Sequence, residues 1–392
     1  MKKDNVFMVF NTKGKEVVYE YRWGENHNPK FRLERATRRI GTLETPPTPE
    51  IKSYEELDRV FLLVSERGSG FKFLRQWLTS RQEHVISQHK ISGKEGSPPK
   101  NWVLIDGNQV IQQNSLVQPD QWNAFLKQDM GCYILDRTFY GDNPITEKTG
   151  SVLTQINATV EAMRTDPSFR FIHASYHLPS LEIDPLFSNL LDQCHVYRLP
   201  QFNIDELCTW LDELVKKYQN RTFTIDLKDA KRSLAQVILY SVGGQPRLTS
   251  MLFRLVDDAI QAQLPEDERD TPPPKKPPSS GSFVLQAEDL ATLFRLQGTE
   301  LARNPPHIVE RWKEDLTGFL KNDTHMVQLL RRYADNQPKP STDAHYTADY
   351  KLYLAGWVGF DPEKKWGIRS QCHKQWAGEL LRHFDQEKER TR

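Results

Sequence analysis

Short apolar runs recur through the first half of the chain, each bounded by polar or turn-forming residues: Val60–Val64, Trp102–Asp106, Cys132–Asp136, 169–175 and 195–199. Runs that are nearly continuous rather than alternating mark strands buried on both faces. Helical spacing fills the stretches between them, over 71–81, 118–128 and 148–165. Strands alternating with helices predict a parallel sheet covered on both sides. Ahead of this, β-prone runs at 6–10 and 16–21 flank Asn-Thr-Lys-Gly-Lys and predict a small hairpin. Residues 23–50 are polar, then rich in Pro and Thr, and predict an irregular lead-in. From Asn203 the pattern turns helical, over 204–218, 227–240, 246–263, 286–297 and 306–320. The run Thr-Pro-Pro-Pro-Lys-Lys-Pro-Pro-Ser-Ser-Gly-Ser interrupts it and predicts a flexible or polyproline connector over 264–282. Helices at 324–336 and 342–354, a hairpin over 356–369 and a helix at 372–384 end the chain. Helices followed by a two-stranded wing predict a winged helix-turn-helix. The resulting units are 1–50, 51–202, 203–263, 264–282 and 283–392.

Composition narrows the class without deciding it. With 392 residues, 27% charged and 38% apolar, the chain has material for two or three domains. The net charge of +1 excludes an overall field directed at nucleic acid or membrane. Lys30, Arg32, Arg35, Arg38 and Arg39 form a local basic run, read as a solvated face with phosphate contact as the alternative. Cys132, Cys194, Cys208 and Cys372 are far apart, so neither a zinc site nor a disulfide framework is expected. Without a signal-peptide pattern or a run of about 20 apolar residues, the expected setting is cytoplasmic, with no membrane partner.

Candidate chemistry concentrates in Val-Ser-Glu-Arg-Gly-Ser-Gly-Phe-Lys, residues 64–72. Strand, glycine turn and helix is the layout of a loop that cradles phosphate on backbone N–H groups and a helix N-terminus. Against G-x-x-x-x-G-K-[ST], Ser65 stands at the first glycine and Gly68 lies within the turn. Gly70 matches the second glycine, Phe71 takes the lysine position and Lys72 the hydroxyl position. A phenyl ring neither neutralises phosphate nor donates a hydrogen bond, and Lys72 is rotated about 100° from the lysine direction on a helix. Asp136 ends an apolar strand where an acid would hold magnesium, yet Arg137 follows it where a second acid would activate water. His173 and Ser175 end another strand as candidate sensors of a phosphate, or simply as backbone-bonded residues. Gly243-Gly244-Gln245-Pro246-Arg247 breaks and restarts a helix, placing Pro246 early in it and Arg247 beside it. Lys364, Lys365 and Arg369, with Trp357 and Trp366, offer the wing a nucleic-acid contact.

The order of these features resembles STAND-type P-loop ATPases, in particular their prokaryotic AAA-like branch, over about residues 50–390. Carried by the resemblance, Gly70 matches the loop glycine, Asp136 the Walker B acid and Pro246 the lid proline. The fold it implies is α/β: a P-loop NTPase-like parallel sheet with a helical lid, then a winged helix. Phe71, Lys72 and Arg137 depart from the pattern in the manner of inactive members. The expectation is therefore a non-catalytic scaffold, adaptor or sensor subunit. It has no catalytic residue, metal or resident cofactor, and weak ATP or ADP binding is the alternative. The family points to protein partners in a multi-component defence or conflict assembly. A nucleic-acid-binding AAA+ and winged-helix protein of the replication-initiator or transposition-regulator type is the second reading, and an atypical active ATPase using Lys72 the third.

Overall fold

A computed structural model describes residues 5–10, 16–21, 33–36, 50–51, 58–64, 66, 69, 102–106, 132–136, 147–163, 165, 169–175, 189–190, 194, 196–199, 201–219, 221–269, 283–322, 324–336, 352–360 and 366–390. Strands β1 (Asn5–Phe10) and β2 (Glu16–Tyr21) pair antiparallel as the expected hairpin. The main sheet contains β3 (Leu33–Ala36), β4 (Glu50–Ile51), β5 (Val60–Val64), β6 (Trp102–Asp106), β7 (Cys132–Asp136), β8 (Arg170–Ser175) and β9 (Val196–Arg198). Its order is β4-β3-β9-β5-β8-β7-β6. All neighbours from β9 to β6 run parallel.

The apolar runs thus form the sheet that their pattern demands. Every residue of β5 is buried, as expected of a central strand covered on both faces. Helix α1 (Glu147–Met163) contributes Ile156 and Val160 to a core shared with Phe169, Phe171 and Leu190. Two strands, β3 and β4, come from the lead-in expected to be irregular. Leu33-Glu-Arg-Ala does not alternate cleanly, and its strand state is decided by antiparallel pairing with β9.

The helical half begins with α2 (Ile204–Lys217), capped by Asn203, whose side chain accepts from the Glu206 N–H while Glu206 returns a bond to the Asn203 N–H. Helices α3 (Lys231–Val242), α4 (Pro246–Gln261), α5 (Ala287–Arg303), α6 (His307–Asn322), α7 (Thr324–Ala334) and α8 (Gln371–Arg390) follow. Phe202, Trp210, Phe253 and Phe294 form a chain of rings with centroids 5.1–5.2 Å apart, tying α2, α4 and α5 together.

Residues 264–269, the described part of the stretch expected to be a connector, pack against the helices. Leu264 is buried, and Glu266–Glu268 forms a 3-10 turn. Its Glu268 carbonyl accepts from Arg221, and its carboxylate from Thr222. Beyond the connector, β11 (Phe283–Gln286) pairs parallel with β10 (Phe223–Asp226). Both flanks of the segment therefore belong to one helical body. Near the end, β12 (Val358–Phe360) and β13 (Trp366–Ile368) pair antiparallel before α8. Among the described residues no helix is long and apolar enough to cross a membrane. The helices expected at 71–81 and 118–128, most of 342–354, and 270–282 lie outside the described residues.

Candidate functional site

The connection after β5 travels to β6 at one edge of the sheet, whereas the one after β8 travels past β5 to β9. Adjacent strands whose connections leave in opposite directions open a crevice at their carboxyl ends, where α/β sheets bind ligands. Val64 and Ser175 end β5 and β8 as register partners. Beside them, Asp136 ends β7 opposite Ala174 on one side and Asp106 on the other. Asp106, not singled out by sequence, therefore gives the edge a second acid next to Asp136. Asp106 ends its strand as Asp136 does, and only the register sets the two side by side.

In the crevice-forming loop, the described residues are Glu66 and Ser69, both buried. Glu66 Oε2 accepts from Arg198 Nη2 at 2.8 Å, and Glu66 Oε1 from Arg369 Nη1 at 3.0 Å. Gln201 Nε2 donates to the same Oε1. The Glu66 carboxylate and the Arg198 side chain are fully buried, and Arg369 is 6% exposed. Burial alone would raise the Glu66 pKa. The fields of Arg198 and Arg369, with hydrogen bonds from its own backbone and from Arg198, outweigh burial and bring it from 4.5 down to about 2. The site holds an ionised carboxylate at neutral pH.

Each partner is positioned by a different part of the chain. Arg198 ends β9, and its guanidinium carbon lies 4.4 Å from the Tyr353 ring centroid. Gln201 precedes the α2 cap, where the Phe202 N–H donates to the Gly244 carbonyl at 2.8 Å. Arg369 follows β13 and reaches Glu66 across 303 residues of sequence. Its path runs against Gly243, the left-handed C-cap of α3 (φ +70°), where an added Cβ would stand 2.6 Å from Arg369 Cγ. At Gly356 (φ +84°) an added Cβ would lie 3.0 Å from three atoms of Glu66. Both glycines are required twice, by backbone conformation and by side-chain approach.

Behind Arg369, the Ser370 hydroxyl lies 2.7 Å from Nδ1 of His373, a residue surrounded by Trp312, Trp357 and Trp376. Burial and the neighbouring Arg369 charge lower the His373 pKa from 6.5 to about 3, against a smaller opposing effect of Glu66. The imidazole is neutral. It packs the junction and does not serve as a cation.

Several of the sequence candidates fall elsewhere. Arg369, expected as a nucleic-acid contact on the wing, points inward because its charge is met by Glu66; that assignment is corrected. Pro246 opens α4 behind the cap Gln245, whose side chain accepts from the Leu248 N–H at 2.6 Å. Arg247 follows it and is half-buried. His173 is fully buried within β8. Ser65, Gly68, Gly70, Phe71, Lys72, Lys364 and Lys365 lie outside the described residues. Glu66 and Arg198 were missed, although one signal was available. Arg198 interrupts the apolar run Val-Tyr-Arg-Leu, and a cation in a buried strand requires an anionic partner.

No protein family matches the chain, and no curated protein matches it in sequence. Among solved structures it is similar to PCH-2 from C. elegans, with 14% identity and a TM-score of 0.33 over 62% of each chain, less than two thirds of that protein's length. It is also similar to a RuvB variant from Thermotoga maritima, with 14% identity and a TM-score of 0.32, over 84% of this chain and 88% of that one. The Aeropyrum pernix ORC1 protein, solved in complex with DNA, gives 11% identity and a TM-score of 0.31, over 84% and 87% of the two chains. Likenesses this distant do not decide the fold; the strand order places the chain among doubly wound α/β sheets.

Proposed function

We propose that this chain is a non-catalytic P-loop-type protein, a scaffold, adaptor or sensor subunit that acts through protein–protein contacts. Its setting is a cytoplasmic multi-component assembly of the bacterial defence or conflict kind. The observation that carries the reading is Glu66, a buried carboxylate held by two arginines in the loop after the central strand. A working phosphate loop presents donors to an external anion at that place; here the anion is part of the protein. Phe71 and Lys72 in the lysine and hydroxyl positions, and Arg137 in place of a second acid, support the same conclusion from sequence. The defence setting and the protein partners come from the STAND resemblance. The nucleic-acid reading retains Lys364 and Lys365 but loses Arg369, which is engaged inside.

The test is turnover together with calorimetry. Purified protein should hydrolyse no ATP above background, and should bind none at millimolar ligand with or without magnesium. Phe71→Lys/Lys72→Thr should gain binding if the loop retains its shape. ATP turnover abolished by Asp136→Ala, or micromolar binding to the unmodified protein, would overturn the pseudoenzyme reading.

A further inference from the structure

Three donors converge on one side chain at the mouth of the crevice: Arg198, Arg369 and Gln201, all directed at the Glu66 carboxylate. This is the equipment of an anion site, built from two guanidinium groups and an amide, at the position where doubly wound sheets receive anionic ligands. The site is filled from within. Two of its donors, Arg198 and Gln201, flank the end of β9, while Arg369 belongs to the segment between β13 and α8. Whatever anion sits there joins the sheet to the C-terminal segment.

We propose that the Glu66 carboxylate is a built-in anion that takes the place of an external ligand and, by holding Arg369, latches residues 352–360 and 366–373 onto the sheet in the absence of any ligand. The inference deepens the non-catalytic reading, since a protein carrying its own anion needs no nucleotide to hold this arrangement. A buried ion pair suits a latch because it is close to all-or-none: intact, it is compensated, and with one partner removed the other is stranded as an uncompensated buried charge. The surroundings are shaped to it. Gly356 leaves room for Glu66, and Gly243 and Gly359 for Arg369, whose Nε would lie 3.3 Å from a Cβ at Gly359. The Arg369 N–H donates to the Trp357 carbonyl at 3.1 Å, so guanidinium, β12 and β13 shift together.

The experiment is hydrogen exchange on the full-length protein, comparing segments 352–360 and 366–373 with the interior of α4. In Glu66→Ala, exchange in both segments should rise by about tenfold or more while α4 is unchanged, the signature of local opening. Acetate or inorganic phosphate, free to enter the vacated space, should restore protection in Glu66→Ala. Neither should restore it in Glu66→Gln, whose amide fills the space without charge. Unchanged exchange in folded Glu66→Ala, or a loss that neither anion reverses, would sink the latch and leave Glu66 a packing residue. Should Glu66→Ala fail to fold, Arg369→Lys carries the test: it keeps the charge but not the fork, and must open the same segments partially. No opening there would be equally fatal. These outcomes are independent of ATP turnover, so the latch and the pseudoenzyme reading can fail separately.

Discussion

Two ionic clusters in this protein use the same chemistry in different surroundings. In the helical body, Lys217 Nζ pairs with Asp257 Oδ2 at 2.5 Å, and the Tyr218 hydroxyl donates to Asp257 Oδ1 at 2.7 Å. The two charged side chains are 30% and 19% exposed and lie 40 residues apart. At the crevice, Glu66 and its arginines are almost wholly withdrawn from water and lie 132 and 303 residues apart. The first cluster joins α2 to α4, which the apolar faces of both helices already hold together, and water screens it. The second joins the loop after β5 and the end of β9 to a C-terminal segment that also buries Leu352, Leu354, Trp357 and Val358, and its charges are withdrawn from water. Coulomb energy at equal distance grows as the effective dielectric falls, and so does the penalty for a charge left alone. Burial, and not the number of hydrogen bonds, is what separates the two clusters.

That contrast can be broken in four ways. The largest effect is expected for Arg198→Met, which removes one of the two charges balancing Glu66: about 3–5 kcal/mol of stability lost, measured by denaturant unfolding. A loss below about 1 kcal/mol would place the two clusters in the same class. Gly243→Ala should follow at about 2 kcal/mol or somewhat more, combining a left-handed backbone with a clash against Arg369. Arg369→Ala in that background should relieve the steric part, which a double-mutant cycle would reveal as non-additivity.

The third effect is acid sensitivity. His373 has its folded pKa depressed below 6.5, so its contribution is fully present above that value and is lost as pH falls toward about 3. Glu66, depressed below 4.5, adds its own loss only between 4.5 and about 2. Unfolding free energy should therefore begin to fall near pH 6.5, by about 2 kcal/mol at about pH 5. A His373→Phe variant should remove that limb and leave the one below 4.5. A single transition common to both variants would show that His373 contributes nothing to it. Smallest is Lys217→Met, expected to cost less than about 1 kcal/mol, since the pair is partly exposed. Raising the salt concentration should shrink even that difference while leaving the Arg198→Met loss in place, because screening reaches only solvated charges.

Local pattern was enough for the main parallel strands and most of the described helices. Short continuous apolar runs bounded by turn residues are too brief for helices and fit buried strands, so β5 to β9 were legible to within a residue or two. Pro246 at an early helical position announced the start of α4 through local backbone geometry that needs no distant partner, whereas the Asn203–Glu206 cap of α2 was read only from the structure. The loop after β5 was legible as the place to look for function. Its decisive residue was not, because Glu66 among Ser, Arg and Gly is an ordinary loop acid until Arg198 and Arg369 are beside it. Strands β3 and β11 were missed for the same reason. Leu33-Glu-Arg-Ala and Phe283-Val-Leu-Gln become strands through pairing with β9 and β10, an interaction absent from any local window. Arg369 illustrates the limit most sharply. Its neighbours in sequence suggested a solvated wing cation, and only the tertiary structure, which brings a carboxylate from 303 residues away, turned it inward. Propensity and periodicity act over a few residues, whereas the desolvation of a charge depends on everything that folds around it.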